Sequence, residues 1–599
     1  MIDKYGNEYE RPVIENLKNF PEGCKLIKKG RHWYIAYRNY FYKKQIKRES
    51  ENREYWGKLV GDVCYPWDEY KRKFKRNGQP RLVPLEAKKP ETSSAPVSAT
   101  KPVEFSTSRR FLHLGFGLVV YGLIRCSGVR DDLVAAGFED NTIRVILSLV
   151  MYNLCEMDNA FYLVDDWQEG RLLPFNGKMS SKDLSKFFAA VGERDDLINN
   201  FFKQRSARLG EEEVISIDST SIGCESENIT RVAYGVGKHK EKRNQLGVYF
   251  VVGHESKTPF LYRILAGNIH DSTTIEDFII RAQELDLDKG RRVHVGDKGY
   301  YSEDNLILAS QKGIKVLFSV KSLPNYINDF IEKHYEEIIS SSSVVPGYTH
   351  LRGRTYEHTF HDSKGEGENK ERDIKIWVHI FFDIKSHGDQ IAVLEKKLSA
   401  LETAWKVGDP KAKQEKELLR TYYKKPTDEP GKCTLERDFE KYDKATKILG
   451  MFCNTANFEQ TIIQNIADYS GRDVIEKCFK GCKGTDFDVA RAHSDTVLNG
   501  RFFVLFVASI CMGCMYKIMG EAKTKTHKNG KKHYEAAIET RFSYKQLIQK
   551  FKVVNCLLYD NGKCGLSETP ANLKEIMENF GYDGAVEDAL ADAKNFIVS

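Results

Sequence analysis

Three acidic side chains in this chain have the type and the surroundings that chemistry on phosphate esters needs. Asp218 follows the apolar run Val214–Ile217, and Asp297 follows the run Val293–Val295 and a glycine. Glu476 lies far downstream, among charged and aromatic residues. Carboxylate oxygens in this number suit Mg²⁺ or Mn²⁺, and such ions assist in-line displacement at phosphorus. The set therefore predicts a metal-dependent site for an anionic substrate.

The surroundings of Glu476 predict a single helix across this segment. Three or four residues separate five side chains that then share one helix face: Tyr469, Arg472, Glu476, Phe479 and Lys483. On this face the Glu476 carboxylate lies between the Arg472 guanidinium and the Lys483 ammonium group. Such an arrangement could bind an anionic substrate through a metal ion. A surface helix with i,i+4 ion pairs has the same spacing, and this alternative stays open.

Each aspartate is predicted to end a buried strand, at the carboxyl edge where the active sites of open sheets collect. Leu246–Val252 and Leu261–Leu265 are further strand candidates between the two aspartates. An aspartate at a strand end also serves as a helix cap or a turn former, so Asp218 or Asp297 alone decides nothing. The three acids together favour a site.

The spacing Tyr-x2-Arg-x3-Glu-x6-Lys around Glu476 resembles the signature of the insertion-sequence DDE transposase superfamily. Two upstream segments resemble the aspartate motifs of that family: Asp218-Ser-Thr220 and Asp297-Lys-Gly299-Tyr300-x-Ser302-x-x-Asn305. The segment Gly267-Asn268-x-x-Asp271-x-x-Thr274 resembles the stretch that the family carries between its first two acids. The resemblance covers residues 105–585, in the right order.

The resemblance implies a ribonuclease-H-like α/β catalytic core with an insertion. In that core Asp218, Asp297 and Glu476 are the catalytic residues and bind two Mg²⁺ or Mn²⁺ ions. The resemblance also implies that Tyr469, Arg472 and Lys483 contact the DNA backbone near the cleaved phosphate. Lys298, beside the second acid, is a further predicted DNA contact.

The implied activity is cut-and-paste transposition. The expected partners are the double-stranded terminal inverted repeats of a transposon and a target DNA, bound by a homodimer in a paired-end complex. Two alternatives keep the same core. One is a domesticated DNA-binding protein, and the other is a metal-dependent nuclease without strand transfer.

The N-terminal segment is strongly basic. Residues 1–85 hold 20 Lys and Arg against 11 Asp and Glu, whereas the whole chain carries a net charge of +7. Aromatic residues are interleaved with this charge. The segment predicts a small β-containing module that binds DNA, with candidate contacts at Arg31, Lys71, Arg72 and Lys73. A small β domain with a solvated basic face is the alternative.

Composition and periodicity predict the remaining organisation. The predicted segments are a flexible Pro/Ser/Thr-rich linker over 86–107, an all-α domain over 108–209, a catalytic core over 210–321 and 446–520, an insertion domain over 322–445 and a helical C-terminal region over 521–599. A heptad-like stripe from Ile391 to Trp405 predicts a helical hairpin inside the insertion, with a returning helix near Leu418.

The 13 cysteines have no regular spacing, which favours reduced thiols in a cytoplasmic, nucleoid-associated prokaryotic protein. The most apolar stretch, Phe502–Met519, predicts a buried core helix rather than a membrane span, and no membrane partner is expected. Cys511 and Cys514 lie inside this stretch, so they are predicted to pack in the core rather than to bind a metal.

Overall fold

A computed structural model of the chain describes residues 18–21, 24–29, 32–43, 48–60, 63–66, 109–236, 242–287, 292–320, 323–362, 372–483, 489–528, 532–559 and 563–598. The chain divides into two compact units, Met1–Val103 and Glu104–Ser599. The predicted linker over 86–107 lies outside the described residues, and so do four predicted DNA contacts: Arg31, Lys71, Arg72 and Lys73.

The first unit contains an antiparallel sheet in the order β1–β2–β3–β4. Its strands are β1 (Lys25–Lys29), β2 (His32–Lys43), β3 (Arg48–Val60) and β4 (Val63–Pro66). Leu26, Ile35 and Leu59 are buried in a small core, against which Trp56 packs. The strands agree with the predicted β content, and DNA binding by this unit stays a prediction.

Among its described residues, the second unit contains one large mixed sheet and two small sheets. Its strands are β5 (Arg109–His113), β6 (Val214–Gly223), β7 (Ala233–Val236), β8 (Lys242–Gly253), β9 (Pro259–Ala266), β10 (Val293–Gly296), β11 (Val316–Ser319), β12 (Val344–Val345), β13 (Tyr348–Asp362), β14 (Arg372–Asp383), β15 (Met451–Ala456), β16 (Lys523–Lys528), β17 (Lys532–Ala537), β18 (Asn555–Tyr559) and β19 (Cys564–Leu566). Among the described residues the large sheet has the order β12–β13–β14–β15–β11–β10–β6–β8–β7, and β9 pairs with β8.

The described residues of the second unit also form helices, and some of these cover the two faces of the large sheet. They are α1 (Gly117–Ser127), α2 (Val129–Ala136), α3 (Asp140–Glu156), α4 (Val164–Trp167), α5 (Ser181–Gly192), α6 (Asp195–Ala207), α7 (Ile275–Glu284), α8 (Glu303–Gln311), α9 (Asn325–Ile339), α10 (Ile384–Lys406), α11 (Lys416–Tyr422), α12 (Phe439–Thr446), α13 (Ile462–Ser470), α14 (Asp473–Lys483), α15 (Asp495–Glu521), α16 (Ile538–Arg541), α17 (Tyr544–Phe551), α18 (Ala571–Glu578) and α19 (Tyr582–Val598).

The centre of the sheet is parallel and buried. β10 pairs in parallel with β6 and with β11, and all four of its residues are buried, as expected of a strand that is covered on both faces. Gly296 of β10 lies opposite Ile217 of β6. Asp297 and Asp218 are therefore the next residues along two neighbouring strands.

The prediction that a strand ends at Asp218 is wrong. β6 continues to Gly223 because β8 supplies antiparallel partners for its second half, with Phe250 opposite Asp218 and Gln245 opposite Gly223. The predicted end at Asp297 is confirmed, since β10 ends at the residue before it. The two strand candidates between the aspartates lie within β8 and β9.

The two faces of the sheet have different coverings. Tyr249, which lies opposite Ser219, donates a hydrogen bond of 2.7 Å to Asp277 of α7. On the other face Phe250 packs against α14 and α15, with its ring centroid 5.3 Å from that of Phe479 and 5.9 Å from that of Phe506. Because side chains alternate along a strand, Asp218 shares its face with α14, and Ser219 faces α7.

The long apolar helix α15 lies in the core, as predicted. It is long and apolar enough to cross a membrane, with a mean hydropathy of 2.0 over its best 18-residue window, but 78% of that window is buried inside the protein. Burial raises the pKa of Cys511 and that of Cys514 to about 12. Both thiols therefore stay protonated in the core, as the sequence predicts.

Two predicted helical regions also contain strands. Residues 108–209 are not all-α, because β5 pairs with β18 and places Leu112 opposite Cys556. The region 521–599 is not only helical, because it contains β16, β17, β18 and β19. Each of these strands depends on a partner strand, and the β5–β18 pair joins segments that are far apart in sequence.

The segment 322–445 contributes β12, β13 and β14 to the large sheet, in which β14 pairs with β15. The predicted helical hairpin inside this segment is confirmed by α10 and α11. Leu398, Leu401 and Trp405 of α10 are buried in one cluster, and Leu418 packs against it.

Candidate active site

The two aspartates lie side by side where the parallel strands β6 and β10 stop pairing. Backbone amides fix each carboxylate: the Ser219 amide donates to Asp218 Oδ1 at 2.8 Å, and the Lys298 amide donates to Asp297 Oδ1 at 2.7 Å. The other oxygen of each carboxylate, Oδ2, lies on the side of Arg472.

The segment around Glu476 is a corner between two helices, so the predicted single helix is wrong. α13 ends at Ser470 and α14 begins at Asp473. Between them the Arg472 amide donates to the Tyr469 carbonyl at 3.1 Å, a tight i→i−3 turn. The corner lies close to His254, whose Nδ1 would lie 2.3 Å from a Cβ atom at Gly471.

Arg472 brings the three predicted acids together. Its Nη1 atom lies 4.0 Å from Asp218 Oδ2 and 3.8 Å from Asp297 Oδ2. Its Nη2 atom donates a hydrogen bond of 2.8 Å to Glu476 Oε1. One guanidinium therefore contacts an oxygen of each carboxylate, although the acids come from two strands and a helix.

Tyr469 completes the described cluster. Its hydroxyl donates to Asp297 Oδ1 at 3.3 Å, and the Arg472 guanidinium lies 5.7 Å from the centre of its ring. Burial raises the pKa of Tyr469, so the hydroxyl stays a hydrogen-bond donor. Burial lowers the pKa of Arg472, but Asp297 and the other negative groups around it raise the pKa above its ordinary value.

The site opens on one side. The side chain of Asp218 is 10% exposed, that of Asp297 is 33% exposed and that of Glu476 is 58% exposed. Exposure thus increases from the sheet toward α14. Among the three carboxylates, that of Glu476 is therefore the most accessible to solvent.

The donor set fits a divalent cation. Within the ranges that the structure describes, no three His, Cys, Asp and Glu side chains are close enough together to hold a metal ion. The three carboxylates instead converge on the Arg472 guanidinium, which neutralises them as a cation would. Asp and Glu oxygens are the ligands that Mg²⁺ and Mn²⁺ prefer. The donor types therefore suit such an ion, and in the arrangement described here the Arg472 guanidinium takes the place of the positive charge.

Two residues predicted to contact DNA lie near the carboxylate cluster in sequence, but no described contact links their side chains to it. Lys298 follows Asp297, and its side chain is exposed. Lys483 is the last residue of α14, two turns after Glu476; its side chain lies outside the described residues. Contact of either lysine with DNA stays a prediction.

Three further residues near the site, Ser219, Asp271 and Asn305, lie in the sequence motifs but had no predicted role. Ser219 donates a hydrogen bond to Asp271, so a fourth carboxylate lies behind the first aspartate. The Asn305 side chain donates to the carbonyl groups of Ser272 and Tyr300, at 2.9 Å and 2.8 Å. Each of these residues lies inside a motif, and their places in the motifs were the available signal.

The fold and the site define an α/β protein with two sheet-borne aspartates and one helical glutamate around a cationic group. Residues 209–511 match the family model described as the transposase DDE domain. The chain belongs to this family of DDE transposases. No curated protein matches it. A solved structure that it resembles is the piggyBac transposase in a synaptic complex with hairpin DNA, at 10% identity and a TM-score of 0.30, over 73% of this chain and 70% of that chain.

Proposed function

We propose that this protein is a DDE transposase that binds transposon ends and carries out metal-dependent cleavage and strand transfer of DNA. The observation that carries the proposal is the contact of Arg472 with one oxygen of each of Asp218, Asp297 and Glu476. These are the acids of the family signature, and they face a single point in a chain of the transposase DDE domain family.

The strand order β9–β8–β6–β10–β11 supports a ribonuclease-H-like core. The first three strands pair antiparallel, and β6, β10 and β11 pair in parallel. The first acid lies on β6, the second follows β10, and the third lies on a helix that covers the sheet. The proposed core comprises 210–321 and 446–520, and strands from 322–445 extend it at one edge.

Asp218, Asp297 and Glu476 are the residues that would hold Mg²⁺ or Mn²⁺, two ions in this proposal. When bound, such ions activate the attacking hydroxyl group and stabilise the leaving oxygen. The burial of Asp218 and the backbone hydrogen bonds to both aspartates hold these ligands in place before DNA arrives. Preorganised ligands reduce the reorganisation that the reaction requires.

The basic residues position the DNA. The forked guanidinium of Arg472 matches two oxygens of a phosphate group, and Tyr469 offers a hydroxyl donor beside it. Lys298 and Lys483 add positive charge at the open side of the site. The N-terminal unit adds phosphate contacts through Arg31, Lys71, Arg72 and Lys73. Its affinity for DNA then falls as the salt concentration rises.

The reaction has two balanced steps. A water oxygen bonds to the phosphorus at the transposon end, the bond to the 3′ oxygen breaks, and that oxygen takes a proton. The freed 3′-OH then attacks a phosphodiester of the target, and a target 3′ oxygen leaves. The second step breaks one phosphodiester and forms one, so it needs no energy source. A homodimer that holds two ends, in the cytoplasm at the nucleoid, completes the proposal.

The test is metal-dependent cleavage of a labelled duplex that carries the flanking ends of the element. Asp218→Asn, Asp297→Asn and Glu476→Gln each keep the size of the side chain and remove a charged ligand. We expect each variant to lose cleavage in Mg²⁺ and in Mn²⁺ while it binds the end as tightly as wild type in Ca²⁺. Asp473→Asn is the matched control, because Asp473 lies on the same helix and is exposed.

Each outcome of this assay has a separate meaning. Wild-type cleavage by any one of the three variants would show that its residue does not hold the metal. Binding by the wild type with no cleavage in either metal would favour the domesticated DNA-binding protein. Loss of cleavage in all three variants, with cleavage retained by Asp473→Asn, supports the proposal.

A further inference from the structure

Asp271 lies behind the two catalytic aspartates, on the opposite face of the sheet. It begins the short helical turn Asp271–Thr274, which leads into α7. Ser219 is the neighbour of Asp218 on β6 and faces α7, and its hydroxyl donates a short hydrogen bond to Asp271 Oδ1. One oxygen of Asp271 is therefore tied to the strand that carries the first acid.

The second oxygen of Asp271 lies against the turn that follows the second acid. A Cβ atom at Gly299 would lie 2.9 Å from Asp271 Oδ2 and 3.4 Å from Asp271 Cβ. Only a residue without a side chain lets the backbone come this close to the carboxylate. The glycine two positions after Asp297 is thus explained by contact with Asp271.

A second link joins the same two segments. The Asn305 amide of α8 donates to the Ser272 carbonyl at 2.9 Å and to the Tyr300 carbonyl at 2.8 Å. Tyr300 is fully buried between the segments; burial raises its pKa well above the ordinary value, and the charges of Asp271 and Asp218 raise it further. Its hydroxyl therefore stays neutral next to both carboxylates.

We propose that Asp271 is a positioning residue that fixes the separation and orientation of Asp218 and Asp297. Its carboxylate accepts a hydrogen bond from Ser219 on β6 and packs against the turn after β10 at Gly299. The Asn305 amide bonds its neighbour Ser272 to Tyr300 in that turn, so one segment contacts the surroundings of both metal ligands. Asp271 acts through these backbone segments and does not touch metal or DNA. Groups that orient metal ligands in this way strongly affect metal affinity. The inference rests on the proposed function.

The experiment measures Mn²⁺ binding to the full-length protein by titration calorimetry, with end cleavage as a second readout. Asp271→Ala removes the acceptor, and we expect it to weaken Mn²⁺ binding and cleavage by about 10- to 100-fold. Asp271→Asn keeps an acceptor oxygen for Ser219, and we expect it to stay within about threefold of wild type in both readouts.

Two further variants keep the test decisive. Asp277→Ala is the matched control. Asp277 is a carboxylate on the same face of the sheet, but it accepts a hydrogen bond from Tyr249 and not from a neighbour of Asp218 or Asp297. This variant should leave Mn²⁺ affinity unchanged. Ser219→Ala removes the donor to Asp271 without changing the carboxylate. It should weaken Mn²⁺ binding in the same direction as Asp271→Ala, and it carries the test if Asp271→Ala does not fold.

Two results would overturn the inference. Wild-type Mn²⁺ affinity in Asp271→Ala and Ser219→Ala would remove the positioning role. An equal loss in Asp271→Asn and Asp271→Ala would show that the negative charge itself acts on the metal. Failure of the proposed function looks different, because the wild type would then neither bind Mn²⁺ nor cleave DNA, and the inference would fall with it.

Discussion

Arg472 determines the charge balance of the site. Three carboxylates that face one point repel one another, and a guanidinium within 4.0 Å of each offsets this repulsion. A divalent cation bound to the same oxygens would neutralise them and free the guanidinium for a DNA phosphate. We therefore propose that Arg472 has a second position, in which it leaves the carboxylates and contacts a DNA phosphate.

Replacing Arg472 by alanine should have opposite effects on metal and on DNA. Without DNA, we expect Arg472→Ala to bind Mn²⁺ several-fold more tightly than wild type in calorimetric titration, because the metal no longer competes with the guanidinium. Cleavage of the labelled end should fall by about tenfold or more, because a charged hydrogen bond to phosphate is lost.

Arg472→Lys is the control for this prediction. It keeps the positive charge but loses the forked donor geometry, so it should bind Mn²⁺ like wild type and still cleave poorly. Unchanged Mn²⁺ affinity in Arg472→Ala would contradict the competition between metal and guanidinium.

At the scale of elements, the corner between α13 and α14 places the signature residues. Tyr469 lies near the end of α13, Arg472 lies in the turn, and Glu476 lies one turn into α14. The turn passes close to His254, whose ring is hydrogen-bonded to Ser216 on β6 at 2.6 Å and whose pKa burial lowers to about 4. A neutral imidazole thus separates the corner from the sheet.

A methyl group at Gly471 should disturb this corner. Because a Cβ atom there would lie 2.3 Å from His254 Nδ1, we expect Gly471→Ala to lower the free energy of unfolding by about 1–3 kcal/mol in urea titrations. Cleavage should fall as well at temperatures where the variant is folded. Gly388→Ala in α10 is the matched control.

Gly388 has no neighbouring atom within 4 Å of the position of a Cβ, so alanine there should stabilise the helix by about 0.5–1 kcal/mol. Equal effects of the two substitutions would show that the close approach to His254 does not constrain the corner.

Sequence patterns correctly predicted the helices and strands that depend on residues within one segment. They found the strand before Asp297, the core helix α15 and the buried stripe of α10. They missed the corner at Gly471, which packs against His254 from a distant segment. They also missed β5, whose partner β18 lies near the other end of the chain, and the contact of Asp271 with Ser219. Contacts between distant segments leave no periodicity in the sequence.

At the scale of the whole second unit, the C-terminal helix α19 is fastened to the helices that precede the first acid. Asp592 of α19 accepts hydrogen bonds from Tyr121 of α1 at 2.9 Å and from Arg144 of α3 at 3.1 Å. Burial raises the pKa of Asp592 to about 6, although both partners lower it. Helix α19 is thus bonded to α1 and α3, the helices near the start of the second unit.

The raised pKa of Asp592 predicts a pH-dependent stability. Below pH 4 the carboxyl group is protonated in both states, and its stabilising contribution is fully present. As the pH rises through about 6, the folded state must ionise a buried group and this contribution is lost, about 3 kcal/mol for a shift of this size.

The check compares the thermal unfolding of wild type and Asp592→Asn between pH 4 and pH 7. Wild type should lose stability relative to the variant as the pH rises, because asparagine does not titrate. A constant difference between the two proteins over this range would show that Asp592 titrates alike in the folded and unfolded states.

The central claim, transposition chemistry, is tested most directly by strand transfer. The measurement uses a pre-cleaved transposon end with a labelled 3′-OH, a supercoiled plasmid as target, Mg²⁺ and the full-length protein. The account predicts joined products that disappear with Asp297→Asn and with an end that lacks the 3′-OH. Cleavage of intact ends without any joining would contradict the account and leave a metal-dependent nuclease.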